Sequence, residues 1–182
     1  MGRGGEIIPF ARKSGGGLNE LLNKAIILRK TVLNSNKDFL ADVGAVEIIF
    51  EGRISEVLID NRLIAESFFL CGIYISRMLR DFIYYCPRSW CAIDYLEEAV
   101  KTDNPFCAKN GADICFFLCS LFEGRTDRKR RTTSKQTYIE IGGMLYHRFF
   151  SETDSDIGFY MSQNFETMID VTNEAFARIK GG

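Results

Sequence analysis

The segment GADICFFLCSLF at residues 111–122 decides the fold class, because it is long, almost wholly apolar and closely followed by Gly124. A glycine in that place is typical of a helix end, so the segment is predicted to be a buried α-helix. A basic connector, RTDRKRRTTSK, then covers residues 125–135. The next segment, with YIEIGGMLYHRFF at residues 138–150, follows a capping threonine or serine. Start signal, apolar periodicity and stop signal agree, which indicates an all-α fold.

The rest of the chain is also predicted to be mainly helical. Apolar stripes predict helices over residues 18–33, 37–51, 60–85, 90–100, 105–122 and 157–180. Residues 46–59 are ambiguous, because a short hairpin around Gly52 fits their composition as well as a helix does. Residues 60–85 are apolar on most sides and are expected near the centre. We expect one bundle of six or seven helices over residues 18–182, after a flexible N-terminal arm at 1–17.

Three helix starts carry candidate caps. Ser89 is expected to cap the helix that follows it. Asn104 precedes Pro105, and proline suits the first helical position because its missing N–H is not needed there. Thr133 and Gln136 fit a capping box, in which each side chain satisfies the other residue's backbone N–H.

The composition is that of an ordinary globular domain. The chain has 182 residues, of which 46% are hydrophobic and 26% are charged, with a net charge of −1. No export leader or membrane span is visible, so we expect a cytoplasmic protein without a membrane partner. The six cysteines lie between Cys71 and Cys119, and their spacing matches neither zinc sites nor redox motifs. We expect them to be free, buried thiols.

The sequence shows no constellation for catalysis, a cofactor or a metal. The one histidine, His147, lies two turns from Glu140, but its calculated helix face favours a solvated side chain over a proton-transfer pair. Asp154 and Asp156 resemble the start of a calcium loop, yet the glycine and glutamate of that loop are missing. They are better interpreted as an acidic helix start. No cofactor is therefore expected, and a non-enzymatic role is favoured.

Gly142 and Gly143 lie inside a predicted helix, where each glycine is unfavourable by about 1 kcal/mol relative to alanine. Close packing of a neighbouring helix is the usual compensation for that loss. A ligand lying against bare backbone is the less favoured alternative.

The charge is distributed unevenly along the chain. The connector concentrates five basic residues: Arg125, Arg128, Lys129, Arg130 and Arg131. The last predicted helix presents three acids at spacings of four: Glu166, Asp170 and Glu174. The connector fits a solvated turn, a contact to another protein or copy, or a contact to nucleic acid phosphates. Nucleic acid is the less favoured partner, because no recognition helix or interleaved aromatic residues accompany the patch.

Residues 113–176 resemble the second half of a family of uncharacterised bacterial all-helical proteins. The positions that carry the resemblance are Leu121, Phe122, Tyr138, Ile139, Gly142, Tyr146, Phe165 and Val171. These are packing positions, so the resemblance implies a helical fold and a bacterial origin and implies no activity.

Taken together, these patterns favour a non-enzymatic helical interaction module that associates with itself or with another protein. One alternative is a nucleic-acid-associated protein that acts through residues 125–131. The other is a small-molecule-binding helical protein that uses Gly142, Gly143 and the cysteine-lined interior.

Overall fold

The computed structural model describes residues 43–85, 87–121 and 134–181, and within these ranges it contains six α-helices and no strand. The helices are α1 (Val43–Asp60), α2 (Glu66–Tyr84), α3 (Ala92–Thr102), α4 (Pro105–Leu121), α5 (Lys135–Thr153) and α6 (Asp156–Gly181). The predicted all-α fold is confirmed. The N-terminal arm, the helix predicted at 18–33 and residues 125–133 of the basic connector lie outside the described residues. No helix in the described part is both long and apolar enough to cross a membrane.

Residues 46–59, whose composition fits either a helix or a hairpin, lie inside one continuous helix, α1. The hairpin alternative is therefore wrong. The buried apolar side chains of α1 recur at helical spacing: Val46, Phe50, Ile54, Val57 and Leu58. The Phe50 ring stacks on Phe176 of α6 at 5.6 Å between centroids. In a hairpin Val57 would point to the face opposite its neighbour Leu58, whereas the helix directs both side chains into the core.

The helix predicted at residues 60–85 begins later in the structure. The chain turns after α1, with Arg62 in the left-handed region at φ 58°, and α2 begins at Glu66. The backbone N–H of Leu63 donates to the Leu58 carbonyl at 2.8 Å and closes the turn. Ile64, in the predicted helical range, is therefore outside the helix and 49% exposed.

The centre of the bundle is formed by α4 and α6, so the prediction that residues 60–85 are central is wrong. Every residue of α4 from Gly111 to Ser120 is buried. This helix packs against α3, α5 and α6, and α6 packs in turn against α1 and α2. Helix α4 is surrounded because its small residues, such as Ala108 and Ala112, let neighbours approach on several sides.

The caps position α3, α4 and α5. As predicted, α4 begins at Pro105, and the Asn104 side chain accepts from the N–H of Phe106 at 3.0 Å. At α5 the cap is Ser134, whose Oγ accepts from the N–H of Thr137 at 3.2 Å. The capping box proposed from Thr133 is therefore wrong by one residue.

The cap predicted at Ser89 is also shifted. Cys91 is the N-cap residue of α3, and its backbone N–H donates to the Ser89 hydroxyl at 3.0 Å. The same hydroxyl donates to the Asp94 carboxylate at 2.5 Å. Ser89 thus stabilises the approach to α3 instead of its first turn.

Candidate functional site

The core contains a buried carboxylate, that of Asp113 on α4, which is only 5% exposed. Its Oδ1 accepts hydrogen bonds from the hydroxyls of Tyr74 on α2 and Tyr146 on α5. Its Oδ2 accepts from Nζ of Lys109, one turn earlier on α4, at 2.8 Å. We call these four residues the Asp113 cluster.

The Asp113 cluster joins three helices around one charge. An isolated carboxylate in the core would be strongly unfavourable, because burial removes its hydration. Lys109 supplies the opposite charge from the same helix face, and the two tyrosines supply neutral donors from neighbouring helices. The tyrosine rings meet edge-on with centroids 6.2 Å apart, and Nζ of Lys109 lies 5.1 Å from the centre of the Tyr74 ring. The cluster therefore fixes α2, α4 and α5 in one register.

The two tyrosines and the lysine of the Asp113 cluster stay protonated near neutral pH. Burial, followed by the charge of Asp113, raises the pKa of the Tyr74 and Tyr146 hydroxyls well above the usual value. Burial alone would lower the pKa of Lys109, but the charges and hydrogen bonds of Asp113 and Tyr74 together outweigh it, so that pKa is raised. Both phenols and the ammonium group are thus hydrogen-bond donors. The arrangement suits positioning of Asp113 better than base or nucleophile chemistry.

A cleft of about 470 Å³ opens beside this cluster, between α3, α4 and the end of α2. We call it the α3–α4 cleft. Its apolar lining residues are Phe82, Tyr85, Pro87, Tyr95 and Ile114. Its polar lining residues are Arg88, Glu98, Asn104, Asn110 and Asp113. The α4 members recur every three or four residues, so one face of a single helix forms a whole side of the cleft.

An ion pair forms part of the cleft lining. Arg88 donates from Nη2 to Oε2 of Glu98, and its guanidinium lies over the Tyr95 ring at 5.3 Å from the centroid. Hydrogen bonding by Arg88 lowers the pKa of Glu98. The Tyr95 hydroxyl accepts from the N–H of Ser89 at 3.2 Å, which holds the ring in place. The Arg88 side chain is mostly exposed, so its pairing with Glu98 is readily exchanged for another partner.

Cys107 also lines the cleft, next to that ion pair. The side chain is buried, and burial followed by the charge of Glu98 raises the pKa of its thiol. The thiolate is the reactive form of cysteine, so Cys107 is a poor nucleophile in this setting. It is part of the wall of a binding cleft.

The two glycines predicted to mark close helix packing are placed differently. Gly142 is buried against the Phe165 ring of α6, whereas a Cβ on Gly143 would have its nearest neighbour 3.9 Å away. The Phe165 ring in turn packs against Tyr146, with centroids 5.7 Å apart. The packing at Gly142 therefore helps to seat one tyrosine of the Asp113 cluster.

The three acids of the last helix do not form one solvated stripe. Glu166 and Asp170 are exposed and line a groove of about 390 Å³ with Ser134 and Gln136 at the start of α5. Glu174 instead binds within the chain, to Asn61 and to Arg178.

Glu174 thus connects α6 to the turn that follows α1. Its Oε2 accepts from Nδ2 of Asn61 at 3.0 Å, and these bonds lower its pKa. Arg178 also donates to Asp60 at 2.7 Å, so the end of α1 is tied to the end of α6. Glu174 therefore has partners within the chain, and its role in binding another protein stays a prediction from the sequence.

The other predicted features contribute little to this site. The basic residues Arg125, Arg128, Lys129, Arg130 and Arg131 lie outside the described residues. His147 is exposed and its ring lies 6.2 Å from that of Phe150. Asp154 is the C-cap of α5, and Asp156 is the first residue of α6. Among the described residues, no three His, Cys, Asp or Glu side chains cluster in a way that would hold a metal ion.

The five cysteines in the described part are free thiols. Cys71, Cys107, Cys115 and Cys119 are buried, as predicted, but Cys91 is exposed at the start of α3.

No protein-family model, curated protein or solved structure matches this chain. The resemblance of residues 113–176 to a bacterial helical family stays an expectation from sequence. Pattern and motif did not reveal the Asp113 cluster, although one signal was present. Asp113 is the single charged residue in the apolar run 111–122, and Lys109 precedes it by one helical turn.

Proposed function

We propose that this protein is a helical small-molecule-binding protein whose ligand occupies the α3–α4 cleft. The observation that carries the proposal is the position of Asp113, a buried and fully oriented carboxylate that forms part of the cleft wall. Ligand clefts in proteins are typically about 300–1,000 Å³, mostly apolar, with a few fixed polar groups. The volume and the mixed lining of this cleft support the proposal.

The chemistry of the lining supports binding in preference to catalysis. The phenols of the Asp113 cluster and the Cys107 thiol keep their protons near neutral pH. Lys109 keeps its positive charge. These groups donate hydrogen bonds and hold Asp113 still, which favours a preorganised binding site.

A blocked cleft provides the test. Asn110 is exposed and lines the cleft, so Asn110→Trp is expected to fill it while leaving the core intact. Gln163→Trp, at an exposed position of α6, is the matched control. Saturation-transfer NMR with a library of soluble aromatic and aliphatic fragments should show the same hits for wild type and control. Those hits should be lost in Asn110→Trp, and identical binding in all three proteins would reject the cleft as the site.

Self-association is a second candidate function, favoured by the exposed face of α3. Ile93 and Val100 are 51% and 64% exposed and lie seven residues apart, so both project from one side of the helix. Exposed apolar side chains that share one helix face can form part of a contact surface. The proposed partner on this face is a second copy of the chain.

Sedimentation velocity tests that second candidate. A variant with Ile93→Gln and Val100→Gln is expected to be monomeric at concentrations where wild type forms dimers. Met144→Gln, which changes an exposed apolar side chain on α5, is the control and should behave as wild type. Wild type that stays monomeric at high micromolar concentration would reject self-association.

Charge is expected to tune such an assembly. Reversing Arg128, Arg130 and Arg131 to glutamate removes attraction to the exposed acids Glu166 and Asp170 of a second copy. Exposed ion pairs are weak and screened by salt, so the effect should be largest at low ionic strength. Equal dimer stability of wild type and the triple variant at low salt would leave the apolar face alone as the contact.

A further inference from the structure

The α3–α4 cleft carries polar groups of opposite character at two separate points. The first point is Arg88, which pairs with Glu98 next to Cys107. The second point is Asp113, six residues after Cys107 on α4. A helix rises 1.5 Å per residue, so Cys107 and Asp113 are about 9 Å apart along the helix axis.

Asp113 has capacity for one more hydrogen bond. A carboxylate offers about four acceptor sites, and the described donors Tyr74, Tyr146 and Lys109 fill three. The carboxylate also lines the cleft, so a further donor can approach from there. A ligand amine or hydroxyl is the matching group.

Arg88 is a hydrogen-bond donor with a positive charge, whereas Asp113 is an acceptor. A guanidinium carries five N–H donors, and pairing with Glu98 uses one of them. Its flat face already covers Tyr95, which leaves its edge to bind an anion. A ligand carboxylate is the best match, because it binds a guanidinium in a bidentate manner.

The lining near these two points combines Asn110 with apolar groups. The Cβ of Tyr95 lies close to Gly111, and Ile114 follows Asp113 on the same side of α4. The nearby charges also balance, because Arg88 offsets Glu98 and Lys109 offsets Asp113. A ligand with net charge would upset that balance, whereas a zwitterion with an apolar body preserves it.

We infer that the cleft binds a short zwitterion of about dipeptide length, with its amine at Asp113, its carboxylate at Arg88 and its apolar side chains against Tyr95 and Ile114. An extended dipeptide spans about 7 Å, and a hydrogen bond at each end lengthens its reach to match the cleft. This inference rests on the proposed ligand-binding function.

Calorimetric titration with the dipeptide Leu-Leu tests the inference. Wild type should bind Leu-Leu, and it should bind N-acetyl-Leu-Leu and Leu-Leu amide at least about tenfold more weakly, because each lacks one charged end. Arg88→Gln should weaken binding of Leu-Leu but leave the amide unaffected. Lys101→Gln, which removes an exposed charge of α3 outside the cleft, is the control and should match wild type.

Three outcomes overturn the inference. Equal binding of Leu-Leu and both blocked forms would show that the charged ends are not recognised. Binding that survives Asn110→Trp would place the dipeptide elsewhere. If the dipeptide does not bind but fragment binding is lost in Asn110→Trp, the ligand class is rejected and the proposed function stands. If neither the dipeptide nor any fragment binds in the cleft, the ligand class and the proposed function are both rejected.

Discussion

Gly142 on α5 lies directly against the ring of Phe165 on α6. A Cβ at Gly142 would stand 2.8 Å from Cε1 of that ring and closer still to Cζ. The ring is buried and packs against Phe116 and Tyr146, with centroids 5.5 and 5.7 Å away, so it has little room to move. Packing therefore requires glycine at 142, whereas Gly143 has no such neighbour.

The two glycines should respond in opposite ways to alanine. Gly142→Ala is expected to lower the free energy of unfolding by about 1–3 kcal/mol, because the ring must shift. Gly143→Ala is expected to leave it unchanged or raise it by up to about 1 kcal/mol, since alanine is the better helix former. Urea denaturation measures both variants. Equal losses would contradict the packing described for Phe165.

The Asp113 cluster should be more sensitive to loss of its acceptor than to loss of one donor. Asp113→Ala leaves Lys109 and both hydroxyls without that carboxylate and should cost about 3–5 kcal/mol of stability. Tyr146→Phe removes one of three donors and should cost about 1–2 kcal/mol. The combined change Lys109→Met with Asp113→Leu should recover much of the loss, because no charge is left buried. Denaturant midpoints give this order, and a smaller loss for Asp113→Ala than for Tyr146→Phe would contradict it.

Stability should fall in alkali. Burial raises the pKa of Cys71 from 9.0 to about 12, so the folded state holds this proton more tightly than the unfolded state. The resulting stabilisation is complete below about pH 9 and is lost as pH rises towards about 12. The raised pKa values of Tyr74 and Tyr146 act in the same direction. Melting temperatures across this range should drop less steeply in Cys71→Ala than in wild type, and parallel curves would exclude a contribution from Cys71.

Alkylation should separate the cysteines by burial. Cys91 is exposed, whereas burial raises the pKa of Cys71, Cys107 and Cys115 and keeps these thiols protonated. Brief treatment with iodoacetamide at neutral pH should label Cys91 first among the five described cysteines. Peptide mass spectrometry reads the labelled positions. Labelling of Cys71 at the rate of Cys91 in folded protein would contradict the structure.

Local signals in the sequence predict the helices well, because capping and periodicity act over a few residues. Asn104-Pro105 marks the start of α4, and the apolar arc of α6 gives its range almost to the residue. The turn at Arg62 was missed, because a left-handed arginine leaves no local signature. The sequence of residues 46–59 fits both a helix and a hairpin. Only the packing of Phe50 against Phe176 of α6 decides for the helix.

The candidate site could not be read in the same way, because its parts are distant in sequence. Tyr74 and Tyr146 lie 39 and 33 residues from Asp113, and periodicity describes one helix at a time. The sequence does not reveal the hydrogen bond of Glu174 for the same reason, since its partner Asn61 is 113 residues away. A charge within an apolar helix indicates that partners exist, and only the tertiary fold shows which they are.

The position of bound fragments in crystals tests the central claim, that the α3–α4 cleft is a ligand site, most directly. Crystals of wild type soaked with the fragments identified by NMR should show electron density between Tyr95 and Ile114, with polar atoms directed at Arg88 or Asp113. The claim would be contradicted if the same fragments bound only elsewhere, such as in the groove beside Glu166 and Asp170. In that case the α3–α4 cleft would be open to solvent in the crystal and would contain no fragment.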